Sequence, residues 1–216
     1  MKETAEECLD HLIERYPALD PCRMQIMDAF ACLCECAHRG GTIFVCGNGG
    51  SAADAEHIVG ELLKGFLKKR PLPAADQEAL LALAGQDEGT YLAVRLQMGI
   101  RAVSLTSHVG LATAVINDLG GDLVYAQQLN ALARAGDVLW AISTSGNARN
   151  IRLACHVARL RGVRILGMTG AGGGHLATLA DNCIRAPASL TFEIQEYHLP
   201  IYHALCAMIE SRFFED

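Results

Sequence analysis

The sequence predicts an α/β protein: a three-layer αβα sandwich on a five-stranded parallel sheet, with additional N-terminal and C-terminal helices. The first observation behind this prediction is that short apolar runs alternate with longer segments whose apolar residues recur at helical spacing. The second is that crossovers of this length place successive strands in parallel, with helices on both faces of the sheet. The five predicted strands lie at about 42–47, 101–105, 137–142, 163–168 and 182–186.

Two leading helices are predicted over residues 1–40. Leu9 and Leu12 belong to an apolar set at helical spacing, and a second helix is predicted to begin after Pro21. Gly40 and the glycine after it end this helix, because glycine readily adopts the conformation that terminates a helix. The first strand follows at once.

Two further helical segments complete the chain. The segment Pro73–Gln97 is rich in Ala, Leu, Asp and Glu, and predicts one added helix between the first two strands. Residues 190–214 predict a closing helix, with Pro200 near its early part. No repeat or linker divides the chain. We therefore expect a single domain over 1–216, with leading helices at 1–40, an α/β core at 41–190 and the closing helix at 190–216.

The composition restricts the class of function. Apolar residues make up 51% and charged residues 19% of the chain, which is typical of globular proteins and not of disordered ones. A net charge of −6 argues against nucleic acid or an anionic membrane as a partner. No apolar run reaches the ~18 residues that a membrane span needs. The nine cysteines are odd in number and spread through apolar segments, and the N-terminus lacks signal-peptide character, which predicts free thiols and a cytoplasmic location.

A glycine turn closes the first predicted strand and opens a helix. It reads Gly47-Asn48-Gly49-Gly50-Ser51, and Ser51 is expected where unpaired N–H groups and the helix dipole attract an anion. A Walker loop is excluded because no Lys-Ser or Lys-Thr pair closes the turn. The spacing matches a dinucleotide fingerprint loosely, but a basic segment stands where the ribose-binding acidic residue belongs, so no nucleotide cofactor is expected. A turn without any ligand is the remaining alternative.

A second polar turn follows the third predicted strand. Ser143, Thr144 and Ser145 precede Gly146 and Asn147, and a helical pattern begins there. Hydroxyl groups bind phosphate oxygens, although serine and threonine are also ordinary helix caps. Ligands of parallel sheets bind in the crevice at the carboxyl ends of strands. Two such turns together predict a phosphorylated ligand.

Three motifs together resemble the SIS (sugar isomerase) domain family. They are Gly-Asn-Gly-Gly-Ser-Ala at 47–52, Ser-Thr-Ser-Gly-Asn at 143–147, and Gln-Glu-x-His-Leu-x-x-x-His at 195–203. Within that family the chain is most similar to the bacterial phosphoheptose isomerases, over nearly its whole length. The resemblance implies the SIS, flavodoxin-like fold and exchange of sedoheptulose 7-phosphate with D-glycero-D-manno-heptose 7-phosphate through an enediol. It also implies a homotetramer with sites where subunits meet.

The resemblance further implies roles for individual residues. Glu61 would be the general base and His203 the partnering acid/base, which suits a reaction that moves a proton between C1 and C2. Some members bind zinc, and the matching ligands here would be His57, Glu61, Gln195 and His203. The residues implied to bind substrate are Asn48, Gly49, Gly50, Ser51, Asp118, Ser143, Thr144, Ser145, Asn147 and Gln195.

The spacing of the four zinc ligands sets a condition on that site. His57 and Glu61 are four residues apart, so they share one face of a helix. Gln195 and His203 are eight residues apart, which is about 12 Å along an ideal helix. Both reach one ion only if the helix begins or kinks between them, which Pro200 would allow, or if different subunits contribute them.

Some positions depart from the phosphoheptose isomerase pattern, and they leave the substrate open. The phosphate turns and the proposed base are kept, but the rest of the pocket changes, so a different phosphosugar is an alternative substrate. A non-catalytic SIS regulator, such as one that binds a replication initiator, and an amino-sugar phosphate lyase are alternative functions. The departures are Gly65 in place of a common arginine, His108 in place of an acidic residue, Ala148 in place of serine, and Phe192-Glu193 in place of Asp-Arg.

Overall fold

The structure is a computed structural model that describes residues 4–214 of the chain. A parallel sheet forms its centre, and the helices lie before, between and after the strands. The strands are β1 (Ile43–Cys46), β2 (Ala102–Ser104), β3 (Val138–Ile142), β4 (Arg164–Gly170) and β5 (Asn182–Ala186). The helices are α1 (Ala5–Arg15), α2 (Arg23–His38), α3 (Gly50–Leu63), α4 (Ala74–Arg95), α5 (Val109–Asp118), α6 (Val124–Leu132), α7 (Arg149–Leu160), α8 (Gly174–Leu179) and α9 (Thr191–Phe213).

The five-stranded parallel sheet predicted from the sequence is confirmed. The strand order is β2-β1-β3-β4-β5, and every neighbouring pair is parallel. After β1 the chain forms β2 on one side of β1 and then crosses to the other side to form β3. β1 and β3 are therefore neighbours. The turns that follow these two strands therefore lie side by side at the carboxyl edge, where ligands of such sheets bind.

Helices cover both faces of the sheet, because successive side chains of a strand point to opposite sides. Along β3, Val138, Trp140 and Ile142 enter the core shared with α1, α2, α3 and α9. Leu139 and Ala141 enter the second core, which is shared with α6, α7 and α8. All five side chains are fully buried, so β3 is the central strand of a three-layer sandwich.

The segment Pro73–Gln97 is not the single straight helix that the sequence predicts. Gly85, with φ 74° and ψ −177°, breaks the helical conformation of α4 and folds it into two halves. Gly89 in the second half lies so close to the first that a Cβ there would be 2.7 Å from the Leu80 carbonyl oxygen. The composition of the segment did not reveal this bend, because the bend depends on the positive φ that glycine tolerates. Leu83 is left 85% exposed near the bend.

The closing helix α9 runs unbroken through Pro200. Proline removes one backbone hydrogen bond from a helix but does not end this one. Two residues before Pro200, His198 is fully buried, and its Nε2 lies 3.3 Å from the Thr169 carbonyl oxygen. Burial lowers the pKa of His198 to about 4, so it packs as a neutral ring.

The nine cysteines are free thiols, as the sequence predicts. Burial raises the pKa of Cys34 to about 11 and that of Cys155 to about 12, so these thiols stay protonated near neutral pH. Over residues 4–214, no helix is both long enough and apolar enough to cross a membrane.

Candidate active site

The glycine turn between β1 and α3 has a conformation that requires glycine. Gly49 has a φ of 56°, and a Cβ at Gly47 would collide with the Ser51 carbonyl. Ser51 is 3% exposed, and its hydroxyl makes no hydrogen bond within residues 4–214. Its N–H, however, bonds to the Asn48 carbonyl oxygen at 3.1 Å. The Ser51 N–H is therefore not a donor that this turn offers to an anion, and the hydroxyl is the donor that Ser51 itself offers to a ligand.

The second turn, after β3, offers more hydroxyl groups. Ser143 is 7% exposed, and neither its hydroxyl nor that of Thr144 has a hydrogen-bond partner in the described part of the chain. Ser145 Oγ accepts the Asn147 N–H at 3.2 Å. Gly146 has a φ of 66° and packs on the glycines that begin α8, so a side chain there would collide with their backbone. Hydroxyls that have no partner within the protein are available to bind the oxygens of a ligand.

The two turns are joined to each other. Asn48 and Asn150 exchange two side-chain hydrogen bonds, with N···O distances of 2.9 and 2.8 Å. The Tyr125 hydroxyl donates to the Gly47 carbonyl oxygen. Together with Thr106, these side chains line a cavity of ≈ 250 Å³ at the carboxyl edge of the sheet. Asn150 and Tyr125 were missed in the sequence, although Asn150, one turn beyond the Ser-Thr-Ser-Gly-Asn motif, could have been found by its position.

Gln195 lies at the first turn, whereas Asp118 does not. The Gln195 amide rests directly on Gly50, so that a Cβ at Gly50 would collide with it. Asp118 is exposed at the end of α5, and its carboxylate accepts a hydrogen bond from the neighbouring Asn117 at 2.7 Å. Within residues 4–214 it makes no hydrogen bond to either turn.

Glu61, His57 and His203 meet between α3 and α9. Glu61 Oε1 lies 3.2 Å from His57 Nε2, and Glu61 Oε2 lies 3.1 Å from Lys64 Nζ. The His203 ring stands edge-on to the His57 ring, with 4.9 Å between their centroids. The Glu61 side chain is 14% exposed. A shielded carboxylate beside two imidazoles is suited to proton transfer.

His203 is held as a neutral ring in this cluster. Burial lowers its pKa, the nearby His57 lowers it further, and Glu61 opposes both. Its Nε2 is buried and has no hydrogen-bond partner within residues 4–214. On its other side His203 borders a cavity of ≈ 330 Å³ between α1 and α9, which Arg15 also lines. A neutral imidazole with a free nitrogen can accept or relay a proton.

Two side chains that the sequence did not reveal support His57. The Tyr202 oxygen lies 3.0 Å from His57 Nδ1 and 3.3 Å from Asp54 Oδ1. Burial raises the pKa of Asp54, with the hydrogen bond from Tyr202 opposing it, and burial also raises the pKa of Tyr202. Asp54 could have been found, since it lies three residues before His57 on the same helix face. Tyr202 occupies an unspecified position of the motif at 195–203, so the sequence gave no reason to single it out.

A buried ion pair fixes the loop after α3. The Glu210 carboxylate accepts three N–H groups, those of residues 66–68, at 2.7–3.0 Å, and also Arg70 Nε at 2.8 Å. Arg70 in turn donates to the carbonyl oxygens of Leu62 at 2.8 Å and Glu61 at 3.1 Å. Both charged side chains are 1% exposed. Each of the three guanidinium nitrogens of Arg70 has an acceptor, so this clamp holds the end of α3 that carries Glu61.

The structure shows the surroundings of three positions that depart from the family pattern, namely Gly65, His108 and Phe192. Gly65 approaches the Lys68 carbonyl so closely that any side chain would collide with it. The arginine common there would not fit this loop. His108 Nδ1 lies 2.6 Å from the Oε1 of Gln128, which is buried beneath it. Phe192 is 58% exposed in the first turn of α9.

One chain does not bring together the four residues matched to zinc. His57, Glu61 and His203 lie together, but Gln195 rests on Gly50 at the opposite end of α3, and α9 is continuous from Gln195 to His203. Over the described residues, no three His, Cys, Asp or Glu side chains are arranged to hold a metal ion. The set does not fit zinc within a single chain.

Comparison with known proteins identifies the family. The model of the SIS domain matches residues 18–94 and 89–170. The chain belongs to the SIS domain family. Among curated relatives of this SIS domain protein, the phosphoheptose isomerase of Rhodospirillum rubrum is 37% identical over 209 residues, covering 96% of this chain and 93% of the relative. That of Nitratiruptor is 34% identical, covering 99% and 100%.

Solved structures agree with the sequence matches. The phosphoheptose isomerase of Neisseria gonorrhoeae superposes on this SIS domain protein with a TM-score of 0.71 at 31% identity, covering 95% of this chain and 98% of that one. The enzyme of Francisella tularensis gives 0.69 at 29% identity, covering 95% and 93%. The resemblance and the fold class predicted from the sequence are confirmed.

Proposed function

We propose that this protein is a phosphoheptose isomerase that interconverts sedoheptulose 7-phosphate and D-glycero-D-manno-heptose 7-phosphate. The observation that carries the proposal is the cluster of Glu61 and His203, which a purely binding module does not need. The names of the relatives support the same reaction. The unpartnered hydroxyls of Ser51, Ser143 and Thr144 support a phosphorylated substrate.

The reaction divides between the two groups of residues. The hydroxyls of the turns bind the phosphate. The Glu61 carboxylate removes a proton from C1 of the ketose, which leaves the enediol, and returns it to C2 to form the aldose. His203 moves the accompanying proton between the oxygens on C1 and C2. Each transfer is general acid–base catalysis by a positioned side chain.

The distance between these groups supports an oligomer. Ser51 and Glu61 are ten residues apart on α3, which is about 15 Å along the helix. If the turns of one copy bind the phosphate, Glu61 and His203 of a second copy can therefore reach C1 and C2 of the sugar more easily than those of the same copy. We propose a homo-oligomer, with four subunits in line with the family, and a cytoplasmic location in line with the nine free thiols.

We propose a zinc site only for the assembled oligomer. A second copy would have to supply the Gln195 that one chain keeps away from His57, Glu61 and His203. The proton transfers described above use the chain's own side chains.

The proposal is tested by incubating the purified protein with sedoheptulose 7-phosphate in deuterium oxide. We expect aldose product carrying deuterium at C2 and recovered ketose carrying it at C1. Binding without exchange would instead indicate a non-catalytic SIS protein, and bond cleavage in an amino-sugar phosphate would indicate a lyase. Light scattering that gave a monomer at micromolar concentration would contradict the shared site.

A further inference from the structure

We propose that residues 74–95, a helical arm outside the two cores of the fold, pack against a second copy of this chain. The arm is α4, which bends back on itself at Gly85 so that its two halves lie side by side. Within residues 4–214, neither core includes a residue of the arm. Only Gly89 and Ala93 of the arm are buried, and both are small. The chain itself therefore leaves most of the arm uncovered.

The base of the arm is fixed to the loop after α3. Pro71 and Gln97 pair as an antiparallel bridge on either side of the arm, and the Gln97 side chain accepts the Gly65 N–H at 2.8 Å. The buried pair of Arg70 and Glu210 holds the same loop. The arm thus extends from a base that the fold holds in place.

The exposed side of the arm is apolar. Leu83, Tyr91 and Val94 are 85%, 66% and 73% exposed. Each half of the arm has about ten residues, and isolated helices of that length are marginally stable in water. Exposed apolar residues that gather on one element of a folded protein mark an interaction site. We therefore expect another surface to cover the arm.

The apolar surface continues from the base of the arm to the end of α3. Leu63 and Leu67 are exposed on either side of Gly65, the residue to which the base is bound. Leu63 lies two residues beyond Glu61. The proposed function brings a second copy to Glu61, so that copy also lies next to the arm. The choice of partner rests on the proposed function to this extent.

The charges of this surface also favour a second copy. The arm carries four carboxylates and one arginine, which give it a net charge of −3. The segment 64–70 beside its base has three lysines, one arginine and no acidic residue, and Lys64 and Lys69 are exposed. In a two-fold symmetric contact the same patch meets itself, so the acidic arm of each copy can lie against the basic segment of the other. An anionic membrane is disfavoured, because an amphipathic helix binds it through lysine and arginine.

The chain offers a matched pair of substitutions. Val94→Glu introduces a carboxylate into the apolar surface of the arm and keeps a good helix former. Leu160→Glu is the control, because Leu160 lies at the end of α7, outside the arm, and is 75% exposed against 73% for Val94. A second variant replaces residues 74–95 by a short Gly-Ser linker, since the pairing of Pro71 with Gln97 brings the two ends together.

Analytical ultracentrifugation at micromolar concentration measures the mass of the oligomer. We expect the wild-type mass in Leu160→Glu, and half that mass or less in Val94→Glu and in the variant without the arm. A carboxylate buried without a partner on both sides of a two-fold interface weakens association by roughly 100-fold or more. An unchanged mass in Val94→Glu would overturn the inference. If the variant without the arm does not fold, Val94→Glu alone decides the matter.

Hydrogen exchange tests the contact at the arm itself. The amides of 74–95 should be protected in the wild-type oligomer and should exchange faster in Val94→Glu, because uncovered short helices open easily. Fast exchange of the arm in the wild type at every protein concentration would show that no second copy covers it, and would overturn the inference.

Isomerase activity separates this inference from the proposed function. Dissociation of Val94→Glu in a protein without isomerase activity would uphold the interface and refute the proposed function. Wild-type mass and wild-type kcat in Val94→Glu would refute the interface and leave the proposed reaction standing. If both proposals hold, the activity lost in Val94→Glu should return as its concentration is raised, because the site needs residues of two copies.

Discussion

The phosphate end and the acid–base end of the candidate site are built in different ways. At the phosphate end, the turns after β1 and β3 are set by backbone geometry, and positive-φ glycines such as Gly49 and Gly146 fix their shape. At the acid–base end, Glu61 and His203 are brought together by side-chain contacts between α3 and α9. A site of the first kind is local in sequence, whereas one of the second kind depends on tertiary packing. Substitutions should therefore affect the two ends differently.

Glu61→Gln should give the largest effect, because it removes the base and keeps the size of the side chain. We expect kcat to fall by about 10²–10⁴-fold, the usual contribution of a positioned base, while phosphosugar binding persists. Deuterium exchange at C2 and calorimetric binding measure the two quantities. Wild-type exchange in this variant would remove the distinction between the two ends, and Glu196, the glutamate of the motif at 195–203, would become the next candidate base.

Glu210→Gln should affect stability, because it leaves Arg70 buried without its counter-ion. Breaking one partner of a buried pair typically costs about 3–5 kcal/mol of unfolding free energy. Urea unfolding measures this loss, with Glu193→Gln on the same helix as the control. A loss below about 1 kcal/mol would show that the clamp does not hold the acid–base end.

Ser51→Ala should weaken binding at the phosphate end and leave the chemistry intact. A lost hydrogen bond to a charged group costs roughly 1–3 kcal/mol, so we expect KM to rise with kcat nearly unchanged. Ser189→Ala, at an exposed position outside the site, is the control. Equal binding of sugar phosphates and their unphosphorylated analogues to the wild type would contradict the phosphate role altogether.

Lys64→Met should have the smallest effect of the four. The Lys64 side chain is 61% exposed, and exposed ion pairs contribute at most about 1 kcal/mol. We expect a fall of a few-fold in kcat and no change in phosphosugar binding. A loss as large as that of Glu61→Gln would make Lys64 part of the proton-transfer machinery.

The sequence predicted the fold and the phosphate end well, because both depend on local patterns. Apolar runs gave all five strands, and glycine and hydroxyl residues marked both turns. The division into one domain, and the catalytic, zinc and tetramer assignments, stay predictions. Asp118 was carried over by resemblance alone, and within residues 4–214 its side chain makes no hydrogen bond to either turn.

The remaining features could not be predicted, because they depend on contacts distant in sequence. Tyr202 meets Asp54 across 148 positions, and Glu210 meets the loop after α3 across a similar gap. The bend at Gly85 was hidden because a helix-rich composition fits one helix or two equally well. Pro200 would allow a break in the closing helix, and α9 is continuous through it.

The closed loop at Gly65 constrains how this protein can change. Position 65 has no room for a side chain, because the loop is drawn in against Lys68 and Gln97 and held there by Glu210. An arginine cannot be introduced by one substitution; the loop must first be released, at a cost to the stability of α3. The absence of that arginine is thus coupled to residues far along the chain. Sequences that differ from this one at position 65 should differ in their loop length or clamp as well.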